Sequence, residues 1–263
     1  MKKYLVIGNP IDHSMSPELH NFWLKKNNID GYYNKEKLNE KDLKALFLKI
    51  KNKEISGVNV TVPFKKKVIP FLDELSLDAK NTQSVNTIHL QSGKIIGYNT
   101  DVTGFELAIK KLEYDVEGKK ILILGAGGVV PSIIFSLNKM KASNITVSNR
   151  TKIKAENLKK LFKNLKTVNW GEIPDFDMVI NATSVGLRGQ DELNLDFSKV
   201  GEGKFFYDII YNPQETNFLK KAKELGNGIE NGKKMFIYQA AQAFKIWHDV
   251  EPEINKEVSE LLV

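Results

Sequence analysis

Lys120-Ile121-Leu122-Ile123-Leu124-Gly125-Ala126-Gly127-Gly128-Val129-Val130-Pro131 is the stretch on which the fold turns. Four consecutive large aliphatic residues read as a buried strand, and the glycines that follow read as a turn into a helix. That arrangement binds dinucleotides. Gly125 permits the tight turn, Gly127 lets the backbone approach a pyrophosphate, and the helix N-terminus attracts the negative charge. Pro131 suits a first helical turn, where its missing N–H costs nothing. The usual third Gly or Ala is Val130 here, so the fingerprint alone also fits a structural glycine turn in a ligand-free α/β sheet.

The next strand narrows the reading. Asn144-Ile145-Thr146-Val147-Ser148 ends at Asn149-Arg150-Thr151, with Lys152 and Lys154 just beyond. A site for NAD places an acidic residue there to hold the ribose 2′-hydroxyl. An arginine at this place can clamp a 2′-phosphate instead, so the pattern favours NADP(H). A chance basic strand end is the competing reading. It loses weight because Arg150 and Arg188 are the only arginines in a lysine-rich chain.

Outward from this stretch the chain alternates strand and helix. Strands are predicted at Tyr4–Gly8, Gly57–Val62, Val85–Leu90 and Lys94–Tyr98, with helices at Pro17–Asn27, Glu40–Lys51 and Phe71–Asp78. After Asp115 come strands at Lys120–Leu124, Asn144–Ser148, Met178–Asn181 and Phe205–Ile209. Helices are predicted between them at Val130–Lys141, Lys154–Phe162 and Thr216–Leu225. This spacing implies right-handed crossovers and parallel pairing. A last helix, Met235–Trp247, carries an apolar stripe at Phe236, Ala240, Ala243, Phe244 and Trp247. It follows a glycine-rich run, Gly226 to Gly232, able to carry the chain back to an earlier domain. The expected architecture is α/β with two domains and a cleft between them: a mixed-sheet substrate domain (1–101 plus 232–263) and a Rossmann-type NADP-binding domain (102–231).

The first half contains Val58-Asn59-Val60-Thr61-Val62-Pro63-Phe64-Lys65. Valines alternate with polar residues, which predicts a strand with Asn59 and Thr61 on one face. Pro63 cannot donate to a ladder and ends the pairing. Lys65 then stands where an open α/β sheet lines its binding crevice. Two hydrogen-bonding groups and an ammonium can grip a small hydroxylated acid. Lys66 and Lys67 read as a solvated patch. Asp101, in Asn99-Thr100-Asp101 ahead of a helix-like run, reads on spacing alone as a turn residue or helix N-cap, or as a functional carboxylate. Ser16 before Pro17 reads as an N-cap, a role compatible with holding a carboxylate at the same helix end.

Composition restricts the classes. The chain has 263 residues, is 41% hydrophobic and 27% charged, and carries a net charge of +7, an ordinary globular balance. The positive excess is scattered lysine without interleaved aromatics, so nucleic acid is not expected as a partner. No apolar stretch matches a membrane span. Met1-Lys2-Lys3 runs straight into a strand-like segment too short for a signal-peptide core, so a cytoplasmic location is expected. Cysteine is absent. His13, His20, His89 and His248 lack metal-ligand spacing, and no metal is expected.

Taken together, several segments resemble the shikimate dehydrogenases. They are Gly8-Asn9-Pro10-Ile11-Asp12-His13-Ser14-Met15-Ser16-Pro17, Asn59 to Lys65, Val85-Asn86-Thr87, Asn99-Thr100-Asp101, the Gly125–Gly128 turn, Asn149-Arg150-Thr151, Asn181-Ala182-Thr183-Ser184-Val185-Gly186, Tyr207 to Pro213 and Tyr238-Gln239-Ala240. The ordered set spans essentially the whole chain. The resemblance implies reversible NADPH-dependent reduction of 3-dehydroshikimate to shikimate, with quinate/shikimate enzymes as the neighbouring alternative. A non-catalytic NADP-sensing regulator on the same scaffold is a further one. It implies Lys65 and Asp101 as the catalytic pair, both also touching substrate. It implies Ser14 and Ser16 on the substrate carboxylate, Asn59, Thr61, Asn86 and Gln239 on hydroxyls or carboxylate, and Tyr211 closing the site. The cofactor would be held by Gly125, Ala126, Gly127, Gly128, Asn149, Arg150, Thr151, Lys154, Thr183 and Ser184. A small-molecule substrate and a monomer or homodimer are expected. Val102, Val129-Val130-Pro131 and Lys233-Lys234 depart from the family's usual residues.

Overall fold

The structure, a computed structural model, describes residues 1–189 and 191–262. In chain order the first elements are β1 (Lys2–Gly8), α1 (Ser16–Lys26), β2 (Gly31–Lys37), α2 (Leu43–Lys51), β3 (Gly57–Val60), β4 (Glu74–Leu75), α3 (Leu77–Thr82), β5 (Thr87–Gln91), β6 (Lys94–Tyr98) and α4 (Thr100–Lys111). There follow β7 (Lys120–Leu124), α5 (Val130–Lys139), β8 (Asn144–Ser148), α6 (Lys152–Leu158), β9 (Lys166–Val168), β10 (Met178–Asn181), β11 (Phe205–Asp208), α7 (Asn217–Glu224), β12 (Gly228–Glu230), α8 (Lys233–His248) and α9 (Lys256–Glu260). The chain divides into two compact units, Met1–Gly104 with Ile237–Val263, and Phe105–Phe236. One division falls inside α4 and the other inside α8, because each helix runs on past the expected boundaries at 101/102 and 231/232.

The first unit holds a six-stranded sheet in the order β2-β1-β3-β5-β6-β4. It is mixed: β1 pairs parallel with β2 and β3, whereas β5 runs antiparallel to β3 and β6. Its core joins Leu5 and Ile7 of β1, Val58 and Val60 of β3 and Ile88 of β5 to Leu43, Leu46, Phe47 and Ile50 of α2. Those α2 positions recur at helical spacing and form one apolar stripe. The C-terminal segment completes this unit. Trp247 of α8 donates its indole N–H to the Ile88 carbonyl at 3.0 Å. Its ring lies so close to Gly57 that a Cβ there would sit 2.5 Å from it. Trp23 of α1 likewise donates to the Glu253 carbonyl at 3.0 Å.

The second unit holds six parallel strands in the order β12-β11-β10-β7-β8-β9. This is the doubly wound order of a Rossmann sheet, and the winding reverses between β7 and β10, where such sheets bind ligands. The buried residues Leu122, Leu124, Val179, Phe206, Phe218 and Leu219 form its core.

Three expectations need correction. The helix predicted at Phe71–Asp78 does not form. A single 3-10 turn at Ile69–Phe71 leads into β4, and α3 starts only after Ser76, whose Oγ accepts the Ala79 N–H at 3.3 Å. β3 ends at Val60 and not at Val62, and Val62 is 55% exposed, so the alternation stops before Pro63 acts. The sheet edges β2, β4, β9 and β12 were not anticipated.

Candidate active site and dinucleotide loop

The first unit brings Lys65, Asp101, Asn86 and Gln239 into one hydrogen-bonded cluster. Lys65 lies in the loop after β3, pinned where its carbonyl accepts the Val85 N–H at 2.9 Å. Asp101 lies in the first turn of α4, and Asn99 caps it by accepting the Asp101 N–H at 3.1 Å. The Lys65 ammonium meets Asp101 Oδ2 at 2.5 Å, and both side chains are about nine-tenths covered (11% and 8% exposed). In such surroundings a charged pair holds its geometry firmly, because losing one partner strands the other. Asn86, just ahead of β5, accepts the Thr100 N–H at 2.7 Å on its oxygen. Its Nδ2 lies 3.0 Å from Asp101 Oδ1, 2.9 Å from Thr100 Oγ1 and 3.3 Å from Gln239 Oε1. The exposed Lys66 and Lys67 stay outside the cluster.

Asn59 is buried, and its carboxamide is committed within the protein. Nδ2 donates to the Asn86 carbonyl at 3.1 Å and to Thr87 Oγ1 at 3.0 Å, while Oδ1 accepts the Tyr33 hydroxyl at 2.7 Å. Thr61 lies beyond the strand end, its N–H bonded to the Ile7 carbonyl at 2.9 Å. Ser16 is not an N-cap. It opens α1 itself, behind Met15 at the N-cap position, and Ser14 accepts the Ser16 N–H at 3.3 Å and donates its hydroxyl to Ser16 Oγ at 3.2 Å. Tyr33 and His20 escaped sequence reasoning. Tyr33 stacks flat on His20 at 4.3 Å. Burial holds its hydroxyl protonated, well above its ordinary range, with a hydrogen bond to Ser16 acting the other way. The His20 imidazole is pushed down to about 3, first by burial and then by His248, so it is neutral at physiological pH. Tyr33 sits in a strand without apolar alternation, and only its contact with Asn59 marks it.

Tyr211 belongs to the second unit, where it stacks on Phe236 at 4.4 Å. Lys234, one of the residues departing from the family pattern, pairs with Glu230 at 2.7 Å.

The second unit carries the glycine turn. Gly125 has φ +110°, and a Cβ there would lie 2.8 Å from the Ala182 carbonyl oxygen, so only glycine fits. At exposed Gly127 a Cβ would meet nothing nearer than 3.9 Å, so the glycine leaves space over the backbone for a bulky group. Gly128 and Ala126 complete the turn into α5. At the end of β8, Asn149 donates to the Thr151 carbonyl at 2.8 Å and shapes the loop that presents Arg150. Arg150, Thr151 and Lys154 are exposed. Arg150 lines an open depression with Val185, Asp191, Glu192 and Asn194. Thr183, after β10, gives its N–H and hydroxyl to Asn181 Oδ1 at 3.1 and 2.7 Å, leaving Ser184 exposed beside it. A pyrophosphate over a bare glycine backbone and a phosphate on a basic strand end suit this donor set.

Among the described residues no cluster of acidic or histidine side chains could hold a metal ion, and no helix is long and apolar enough to cross a membrane.

Family models agree with the geometry. One for the shikimate dehydrogenase substrate binding domain matches residues 6–88, and one for shikimate / quinate 5-dehydrogenase matches residues 106–193. The chain is 55% identical over 261 residues to the shikimate dehydrogenase (NADP(+)) of Pelagibacter ubique, covering 99% of this chain and 98% of that one. The crystal structure of shikimate dehydrogenase from Aquifex aeolicus superposes with a TM-score of 0.91 at 38% identity, over 100% of this chain and 97% of the other. The Thermus thermophilus shikimate 5-dehydrogenase in complex with NADP(H) and shikimate gives 0.89 at 30% identity, over 100% and 97%. Similarity this high along the full length decides the matter: the chain belongs to the shikimate dehydrogenase family.

Proposed function

We propose that this chain catalyses the reversible NADPH-dependent reduction of 3-dehydroshikimate to shikimate, a step of aromatic amino acid biosynthesis. The observation that carries the reading is the covered Lys65–Asp101 pair at 2.5 Å, bound into the Asn86–Gln239 network. Carbonyl reduction needs a hydride donor and an acid for the developing alkoxide. Bound NADPH supplies the hydride. Lys65 delivers the proton to the carbonyl oxygen and takes it back in the oxidative direction. Asp101 holds the ammonium in place and, through Oδ1 and Asn86, fixes the amides that meet the ring hydroxyls. Ser14 and Ser16 take the substrate carboxylate at the start of α1, where the helix dipole helps. Asn59, Thr61, Asn86 and Gln239 complete the substrate contacts, and Tyr211 closes the site.

In this reading residues 1–101 with 232–263 bind substrate and 102–231 bind NADP. Gly125, Ala126, Gly127 and Gly128 face the pyrophosphate, Asn149, Arg150, Thr151 and Lys154 the 2′-phosphate, and Thr183 and Ser184 the remainder of the dinucleotide. The proposal extends to a cytoplasmic location and to action as a monomer or homodimer, which light scattering on the purified protein decides.

The test is a spectrophotometric assay of nicotinamide reduction with shikimate and NADP, run beside quinate and NAD. Turnover with shikimate and NADP is expected to dominate. Faster oxidation of quinate would move the enzyme to the quinate/shikimate subfamily, and no turnover with either acid would favour a regulator.

A further inference from the structure

We propose that Asp208 is a positioning residue for the dinucleotide-binding loop, acting through the carboxamide of Asn181; the inference rests on the cofactor role given above to Thr183 and Ser184. Asp208 ends β11 opposite Asn181, which ends β10. Both residues are fully buried. Among the described residues no ion pair reaches the Asp208 carboxylate, and neutral donors surround it. Asn181 Nδ2 lies 3.1 Å from each oxygen, the Ile210 N–H donates at 3.0 Å and the Thr216 hydroxyl at 2.6 Å.

A buried carboxylate without a countercharge is costly, and stability alone is better served by an apolar pair. Its chemistry suits another task. A carboxylate only accepts, whereas a carboxamide has one end that donates and one that accepts, and can turn either way. Facing Asp208, Asn181 has to present its NH₂ to the carboxylate, and the same NH₂ reaches the Val185 carbonyl at 3.2 Å. Its oxygen is then committed to the other side, where it accepts both the N–H and the hydroxyl of Thr183. Thr183 Oγ1 in turn accepts the Val185 N–H at 3.1 Å. The turn Thr183–Val185 therefore takes its shape from an amide whose orientation Asp208 decides. The same carboxylate anchors Ile210, next to Tyr211, and Thr216, whose hydroxyl caps α7.

The test uses the full-length protein and two readouts: calorimetric titration of NADPH and of shikimate, and thermal melting. Asp208→Asn places an NH₂ group among donors, so Asn181 either faces it donor to donor or turns its own NH₂ toward the Thr183 N–H. We expect NADPH binding to weaken about tenfold, as for a lost buried hydrogen bond to a charged group. Shikimate binding should stay within about twofold. The exchange N181D/D208N restores an acceptor toward Thr183 and a donor between the two residues, losing the bond to Val185 and one of the two acceptors that Asp208 offers Ile210 and Thr216. Its NADPH affinity should return to within about threefold of wild type. Thr216→Val, which leaves the Asp208–Asn181 contact intact, should lower the melting temperature without weakening NADPH binding. Asp208→Asn that lowers only the melting temperature overturns the proposal, as does an exchanged pair that binds NADPH no better than the single variant. Should Asp208→Asn not accumulate as folded protein, the exchange alone decides. A folded exchange with near-normal NADPH affinity supports the proposal, and an unfolded or weak-binding one overturns it. Wild-type protein that binds NADPH but turns over no shikimate would sink the proposed reaction and leave these binding comparisons intact.

Discussion

Asp208 also makes a prediction about acid stability whose size follows from its surroundings. Burial pushes its carboxyl from 3.8 up to about 6, against the lowering effect of hydrogen bonds from Thr216, Ile210 and Asn181. Between these two values the folded protein holds a proton that the unfolded chain has released. Stability from this group therefore falls as pH rises through the window from about 4 to about 6, and is flat outside it. Roughly two pH units at 1.36 kcal/mol each come to about 3 kcal/mol. The buried histidines act in the opposite sense. His20 is pushed down to about 3 and His248 to about 4, mainly by burial. Their neutral forms add stability that is present above their unfolded range and lost as pH falls. Wild-type stability alone therefore conceals the Asp208 contribution, whereas its difference from Asp208→Asn isolates it. Urea unfolding of both proteins between pH 4 and 7 is the assay. The wild type should lose ground relative to the variant by about 3 kcal/mol from the acid to the neutral end. Two curves that run parallel across this range would refute the argument, and a difference that grows with pH in favour of the wild type would reverse its sign.

Four further outcomes follow from the structure. Lys65→Met should lower kcat about 10²- to 10⁴-fold with little change in the shikimate KM, and near-normal turnover would remove Lys65 from the proton step. Asp101→Asn, which loses the ammonium contact and alters the acceptor facing Asn86, should both lower kcat and raise the shikimate KM; a change in kcat alone would confine Asp101 to holding the lysine. Arg150→Ala should raise the KM for NADPH while sparing use of NADH, so an unmoved ratio between the two cofactors excludes a 2′-phosphate contact. Gly57→Ala drives a methyl group into the Trp247 ring and should destabilise the fold by about 1–3 kcal/mol, read from urea unfolding.

The central strands were legible because burial on both faces demands continuous or alternating aliphatic residues. Ile121–Leu124, Val147, Val179–Ile180 and Phe206 announce themselves in this way. The four strands that escaped all lie at sheet edges. β2 carries Lys35, Glu36 and Lys37, the charges that keep an edge from pairing with other chains and that erase the hydrophobic pattern. β4, β9 and β12 are only two or three residues long. The helix expected at Phe71–Asp78 failed because Pro70 and Ser76 punctuate that segment more strongly than its apolar residues join it. Of the candidate site, the glycine turn and Arg150 declared themselves through local geometry. Lys65 and Asp101 stand 36 positions apart, and only their resemblance to a family joined them in advance. Tyr33, Thr87, Thr100 and Asp208 carry no local signal. Their roles come from register, as when β10 and β11 set Asn181 opposite Asp208.

The return of the C-terminal segment has a consequence for how the chain is made. Trp247 covers Gly57 and bonds the backbone of β5, Gln239 reaches Asn86, and Glu253 receives the indole of Trp23. During synthesis the first hundred residues leave the ribosome long before these partners exist. The unit at Phe105–Phe236 has all of its sheet by then, and can fold while the earlier strands still wait for their cover. The N-terminal sheet is thus expected to become native last, although it is made first. A chain cut just before Ile237 should keep a foldable dinucleotide unit and leave an apolar sheet exposed, a substrate for chaperones and proteases.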